Sequence, residues 1–306
     1  MRVVALLAAV VLAALLGCCG DDGAEPGASA EATLVLDFTP NAVHAGLYAA
    51  AERGWFADEG LDLEIREPGE STDAPKLLEA GRTEFAVLDI NDWGVARDRG
   101  LDLVPLAALV QVPLAAVIAG DRDEVRRPRD LEGLAVGVTG LPSDDLVLER
   151  IVETDGGDPS QVERSTIGFD TVAALSAGRV DAATAFWNAE GVALRQLGMP
   201  TREFRVGEYA GEPFPELLVV ATQALVDSEP TVVDALRNGV GRGYALAAED
   251  PDAALGDLLA AQPGLEADVQ EAQMEALTKA DAFTSGAEPG AVDPARIADW
   301  RRFADG

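Results

Sequence analysis

The chain has 306 residues, with 54 acidic against 23 basic side chains and a formal net charge of −31. That balance opposes nucleic acid or an anionic membrane surface as the main partner, and it makes strongly anionic small ligands less natural unless a local pocket overrides the global field. The apolar share of 48% is enough to bury cores and excludes disorder beyond a short tether.

Arg2 leads an unbroken apolar run from Val3 to Leu16, too short for a comfortable membrane span and of the length of a secretory apolar region. It ends Leu15-Leu16-Gly17-Cys18, which matches the bacterial lipobox. The expectation is a signal peptide over 1–17, cleavage before Cys18 and lipidation of that cysteine, which anchors firmly when several acyl chains are added. Residues 18–31 are acidic and rich in Gly, Ala and Ser, and they read as a flexible tether. Both cysteines, Cys18 and Cys19, lie here. The remaining chain therefore has no disulfide framework, thiolate metal site or cysteine nucleophile. With His44 as the one histidine, no metal and no cofactor are expected.

Thr33 to Phe38 reads as an apolar strand running into a helix, with Thr39 as N-cap and Pro40 at the first helical position. Gly54 closes that helix. A strand end meeting a helix N-terminus is where open α/β sheets bind ligands. Asn41, His44 and Tyr48 are spaced three and four apart, which puts them on one helix face as candidate ligand-binding residues. The competing reading is a structural histidine and a core tyrosine.

Leu61 to Ile65 alternates as a half-buried strand, Gly69 to Asp73 is a loop, and Ala74 to Ala80 is a short helix closed by Gly81. Glu84 to Leu88 is a strand ending at Asp89-Ile90-Asn91-Asp92 before a helix to Arg99. Asp89 is a candidate ligand group at this second strand end, or the cap of the next helix. Leu103 to Leu109 reads as a buried parallel strand. Val110 to Ala119 contains Pro113 and suits an edge or crossover strand. The charged segment Gly120 to Asp130 is then the first crossover between two lobes.

The strand Ala135 to Val138 stops at Thr139-Gly140-Leu141-Pro142-Ser143, where backbone N–H groups and the Thr139 and Ser143 hydroxyls can donate to a ligand. Ser143 as a plain N-cap is the alternative. No G-x-x-x-x-G-K phosphate loop is present. Thr166 to Phe169 is a strand end, Thr171 to Ala177 a helix, and Val180 to Phe186 a strand leading into Trp187-Asn188-Ala189-Glu190-Gly191. There Trp187 offers a stacking face and Glu190 accepts hydrogen bonds from ring or amino donors. Their bland counterparts are a core tryptophan and a helix-start acid. Arg202 to Val206 is a strand, Glu208 to Glu216 the return crossover, and Leu217 to Ala221 re-enters the first lobe. Helices follow at Thr231–Ala248, capped by Asp227 or Ser228, and at Pro251–Ala261, Ala267–Phe283 and Pro294–Phe303.

Asp37, Phe38, Pro40, Asn41, His44, Gly46-Leu47-Tyr48, Gly54-Trp55-Phe56 and Glu59-Gly60-Leu61 together resemble an N-terminal family signature. It belongs to the periplasmic-binding-protein family of thiamine-pyrimidine precursor binders and the fungal thiamine pyrimidine synthase. Phe38 stands where that family usually has Trp. Ala174 to Ala183 resembles its second-domain pattern. The resemblance implies an α/β, two-lobed type II fold with two crossover hinges, lobe 1 being 32–119 with 217–306 and lobe 2 being 120–216. It also implies a monomeric lipoprotein on the extracytoplasmic face of the cell membrane. There it would bind a small heteroaromatic ligand, an aminopyrimidine thiamine precursor, for an ABC permease. A sulfonate or taurine receptor and a riboflavin-precursor receptor are alternatives on the same fold. The synthase would carry a Lys at the end of the third strand, a His four residues later and a Cys-rich motif. Leu88 and Asp92 occupy those places here, so no Schiff-base chemistry and no catalytic residue are expected.

Overall fold

The computed structural model describes residues 29–69, 74–121 and 124–306. The segment read as a signal peptide, Cys18 and nearly all of the segment read as a tether lie outside the described residues, as does most of the stretch 69–73 read as a loop.

The first element among the described residues is β1 (Ala30–Val35), which starts inside the stretch read as tether and three residues ahead of the expected strand. Pairing explains the shift, because β1 runs beside β2 (Leu61–Arg66) from Ala30 opposite Leu61 to Val35 opposite Arg66. Past Leu36 the backbone bends toward α1 (Ala45–Glu52), which is entered through a 3-10 turn at Ala42–His44. Asn41, not Thr39, caps this entry. Its Oδ1 accepts the Val43 N–H at 3.1 Å, and His44 Nδ1 accepts the Asn41 N–H at 3.2 Å. This is a capping box in which histidine takes the usual glutamate part. Gly54, left-handed at φ 72°, ends the helix and leads into α2 (Trp55–Asp58).

The chain continues through α3 (Ala74–Glu79), β3 (Phe85–Asp89), α4 (Ile90–Asp98) and β4 (Leu103–Val110). A second unit follows: β5 (Ala115–Gly120), β6 (Ala135–Val138), α5 (Pro142–Thr154) and β7 (Glu163–Thr166). It is completed by α6 (Thr171–Ser176), β8 (Ala182–Phe186), α7 (Glu190–Gln196) and β9 (Thr201–Arg205). Then β10 (Leu217–Thr222) returns to the first unit. The helices α8 (Gln223–Ser228), α9 (Pro230–Glu249), α10 (Pro251–Ala261), α11 (Ala267–Lys279) and α12 (Pro294–Asp305) end the chain. Asp227 and Ser228 therefore finish α8 and do not cap α9, which starts behind Glu229.

Two five-stranded sheets result, ordered β2-β1-β3-β10-β4 and β7-β6-β8-β5-β9. Two sequence expectations change here. β4 is not a parallel strand: it is an edge strand paired antiparallel with β10. It can be apolar because α9 packs against it and Ala108 bonds to Gly290 on its outer side. β5 is an inner strand, antiparallel to β8 and β9. Pro113 sits just ahead of it and so removes no ladder donor. The first crossing consequently lies at 111–114, ahead of Gly120–Asp130, and residues 115–119 belong with the second sheet. Between β9 and β10 the chain runs through 206–216, a stretch that contains the Glu208–Glu216 segment read as the return crossover. The C-terminal helices reach both units, since α11 rests on α7 with Gln196 Nε2 donating to the Asp268 carbonyl at 3.1 Å.

The entry to α1 is fixed from behind by α9. Tyr244 donates its hydroxyl to the Val43 carbonyl at 2.7 Å. The helices cross so closely that a Cβ on Gly243 would lie 2.0 Å from the Gly46 carbonyl oxygen. Glycine is required there by space, not by dihedral freedom.

Candidate ligand-binding site

Between the sheets lies a cavity of about 420 Å³, the size of a small-molecule site. Its walls come from the C-terminal ends of parallel strands: Asp37, Phe38 and Asn41 after β1, and Asp89 and Asp92 at and after β3. From the second unit come Thr139, Ser143 and Asp144 after β6, Phe169 after β7, and Asn188 and Glu190 after β8. Of the residues proposed from sequence, the cavity brings together Asn41, Asp89, Thr139, Ser143 and Glu190. It does not include His44, Tyr48 or Trp187.

His44 is fully buried behind the wall. The Asn41 backbone N–H can only donate, so Nδ1 of the ring accepts and the ring proton sits on Nε2. Nε2 then donates to Asp37 Oδ1 at 2.9 Å. Both ring nitrogens are occupied by protein, and the histidine orients a carboxylate that does face the cavity. In this structure His44 thus stands behind the wall and positions Asp37.

Tyr48 points into the core, where its hydroxyl accepts from Gln262 Nε2 at 3.2 Å. Burial, followed by the nearby Glu67 carboxylate, pushes its phenol up to about 12. The shared face expected for residues 41, 44 and 48 fails because Asn41 to His44 form the cap and a tighter 3-10 turn, where the α-helical step does not apply. Trp187 is also buried. Its indole Nε1 donates to the Pro113 carbonyl at 3.0 Å, and the Arg205 guanidinium lies 4.4 Å over its ring. It secures the first crossing from within the core.

Two other aromatics line the cavity. Phe38 and Phe169, one from each unit, meet with centroids 5.6 Å apart and planes at 55°. Phe169 is 51% exposed, a large apolar side chain held open to solvent at the cavity mouth. Phe38 was visible in the signature as an aromatic beside Asp37. Phe169 carried no signal beyond its place at a strand end.

The acids on the wall are not equivalent. Asp89 caps α4, its Oδ1 accepting the Asn91 N–H at 2.5 Å, and it faces Glu216. Glu216 is fully buried, and its Oε2 accepts the N–H groups of Leu114 and of Ala115, the latter at 2.9 Å. Burial first and the opposing carboxyl second raise Asp89 well above the carboxylate range, and burial raises Glu216 as well. Two backbone N–H groups oppose the rise on each side, those of Asn91 and Asp92 at Asp89 and those of Leu114 and Ala115 at Glu216. Asp92 is half-buried and pushed up to about 7, by burial first and then by Asp89. The Ser143 hydroxyl and N–H, facing it from the other unit, pull in the opposite direction.

On the far wall, the Thr139 hydroxyl and N–H both donate to Asp144 Oδ2, the N–H at 2.7 Å. The Thr139 donors are therefore already engaged. Glu190 opens α7 and accepts the Phe186 N–H on Oε2 at 3.0 Å, while burial raises its carboxyl above the usual range. Asn188, which the sequence reading passed over between Trp187 and Glu190, is fully buried on the wall.

A family model described as NMT1/THI5 like matches residues 41–254. The formylaminopyrimidine-binding protein of Halalkalibacterium halodurans is 33% identical over 281 residues, covering 90% of this chain and 84% of that protein. The 4-amino-5-hydroxymethyl-2-methylpyrimidine phosphate synthase of Legionella pneumophila is 24% identical over 236 residues, covering 76% of this chain and 74% of that one. Among solved structures, the periplasmic aliphatic sulphonate binding protein SsuA from Escherichia coli superposes with a TM-score of 0.71 at 15% identity, over 90% of each chain. At that identity the likeness is one of fold.

Proposed function

The chain belongs to the NMT1/THI5-like family, and on that footing we propose that it is the extracytoplasmic solute-binding component of an ABC importer for an aminopyrimidine thiamine precursor. One observation carries the choice of ligand. The cavity wall holds the carboxyl groups of Asp37, Asp89, Asp92, Asp144 and Glu190, and no Lys, Arg or His among the described residues. A sulfonate or phosphate would meet acceptors and no cationic clamp, whereas amino N–H groups meet partners. Phe38 and Phe169 flank the ring, and Glu190 and Asp37 accept from its polar edge. The two crossings at 111–114 and 206–216 serve as hinges on which the lobes close over the ligand.

Binding without chemistry is supported by the residues themselves. Leu88 lies on the wall where the synthases would need an amine, and Asp92 stands where they would need an imidazole. The formylaminopyrimidine-binding relative is a binding protein by name, in line with this reading. Secretion by residues 1–17, lipid anchoring at Cys18 and action as a monomer complete the proposal. Release of wild-type chain into the medium without an N-terminal lipid would contradict the anchor.

A thermal-shift screen of aminopyrimidines, flavin precursors and alkyl sulfonates tests the ligand class, because a ligand of the native state raises the melting temperature. An aminopyrimidine should give the largest shift. A sulfonate as best ligand would overturn the reading.

A further inference from the structure

Asn188 occupies the turn between β8 and α7, fully buried against the cavity. Neither its Nδ2 nor its Oδ1 has a hydrogen-bond partner among the described residues. Other polar groups of the same turn are satisfied. The Phe186 N–H is taken by Glu190 at 3.0 Å, and the Trp187 N–H by the Leu114 carbonyl at 3.1 Å. The Ala189 N–H is taken by the Phe186 carbonyl at 3.2 Å, and the Trp187 indole by Pro113. Burying an amide with both ends unmet is costly, and native chains rarely do so without a reason. The amide also differs from the ionised carboxylates of the wall. An ionised carboxylate accepts only, whereas a carboxamide presents a donor and an acceptor side by side in one plane. Its complement is an amidine edge, a ring nitrogen next to an exocyclic amino group.

We propose that Asn188 reads the amidine edge of the ligand, with Nδ2 donating to the ring nitrogen and Oδ1 accepting from the adjacent amino group. This rests on the aminopyrimidine reading above and sharpens it, because a pyrimidine without an amino group beside a ring nitrogen is rejected. A pyrimidinone offers a lactam edge that a flipped amide could match. Its carbonyl oxygen, however, would replace the amino donor in front of an acceptor-rich wall.

The test uses calorimetric titration and thermal unfolding of the full chain, with 4-amino-2-methylpyrimidine and its 4-oxo analogue as probes. Wild type should bind the amino compound and discriminate against the oxo compound by at least roughly tenfold. Asn188→Leu keeps the side chain's size and removes both polar atoms. Without ligand it should melt no lower than wild type, and it should bind the amino probe at least roughly tenfold more weakly. A Leu variant that binds within about twofold of wild type overturns the assignment and leaves the aminopyrimidine reading standing. A Leu variant that melts lower without ligand also counts against it, since the amide would then have a structural partner. Equal binding of the two probes by wild type overturns it independently of any variant. A wild type that binds neither probe overturns both the assignment and the reading beneath it.

Discussion

The carboxyl groups of Asp89 and Glu216 face each other at the base of the cleft, one ending β3 and the other closing the return crossing. Glu216 also holds the N–H groups of Leu114 and Ala115 where the first crossing enters β5. A single buried carboxyl pair thereby ties both crossings to a strand end that lines the cavity. Asp92 stands beside it, so the base of the cleft accumulates negative charge as pH rises.

That charge has a consequence for stability. Asp92 is raised from 3.8 to about 7, so between about pH 4 and pH 7 the folded chain holds a proton that the unfolded chain has released. Its contribution is fully present below pH 4 and is lost as pH rises through 7. The slope is up to roughly 1.4 kcal/mol per pH unit for one proton. Urea unfolding from pH 4 to pH 8 should therefore show a steeper loss for wild type than for Asp92→Asn, with the variant the more stable of the two at pH 8. Parallel curves would remove Asp92 from this role.

His44 behaves as a structural residue in the ligand-free protein. His44→Ala orphans the Asn41 N–H and leaves Asp37 without its donor. A loss of about 1–3 kcal/mol is expected from the missing cap and the broken buried bond. Chemical denaturation without ligand measures it, and a variant as stable as wild type would mean that the capping box is idle.

Phe169 should behave in the opposite way. It is exposed, so Phe169→Ala should leave the melting temperature of the free protein nearly unchanged. Loss of one aromatic face should weaken ligand binding by about three- to tenfold. Unaltered affinity would place the ring of the ligand away from the cavity mouth.

Much of this was legible in the sequence, for local reasons. Strand-end loops are marked by the switch from an apolar run to small and polar residues, so Asp89, Thr139, Ser143 and Glu190 were found where they line the wall. What the sequence hides is the side of the chain on which a residue stands. Trp187 and Asn188 are neighbours after β8, and only the tertiary packing of Pro113 and Arg205 draws the tryptophan inward and leaves the amide on the wall. His44 stands behind the wall because the entry to α1 is a 3-10 turn with its own periodicity. The crossing at 111–114 was misplaced because Pro113 reads as an interruption of a strand, whereas it precedes one.

The central claim is that an acceptor-rich cleft binds an amino-bearing heterocycle through Glu190. Calorimetric titration of wild type and Glu190→Ala with the best aminopyrimidine from the screen tests it most directly. The variant should remain folded and bind roughly ten- to a hundredfold more weakly, the cost of removing one charged partner of a buried hydrogen bond. Unchanged affinity in Glu190→Ala, with an alkyl sulfonate binding more tightly than the pyrimidine, would contradict the account.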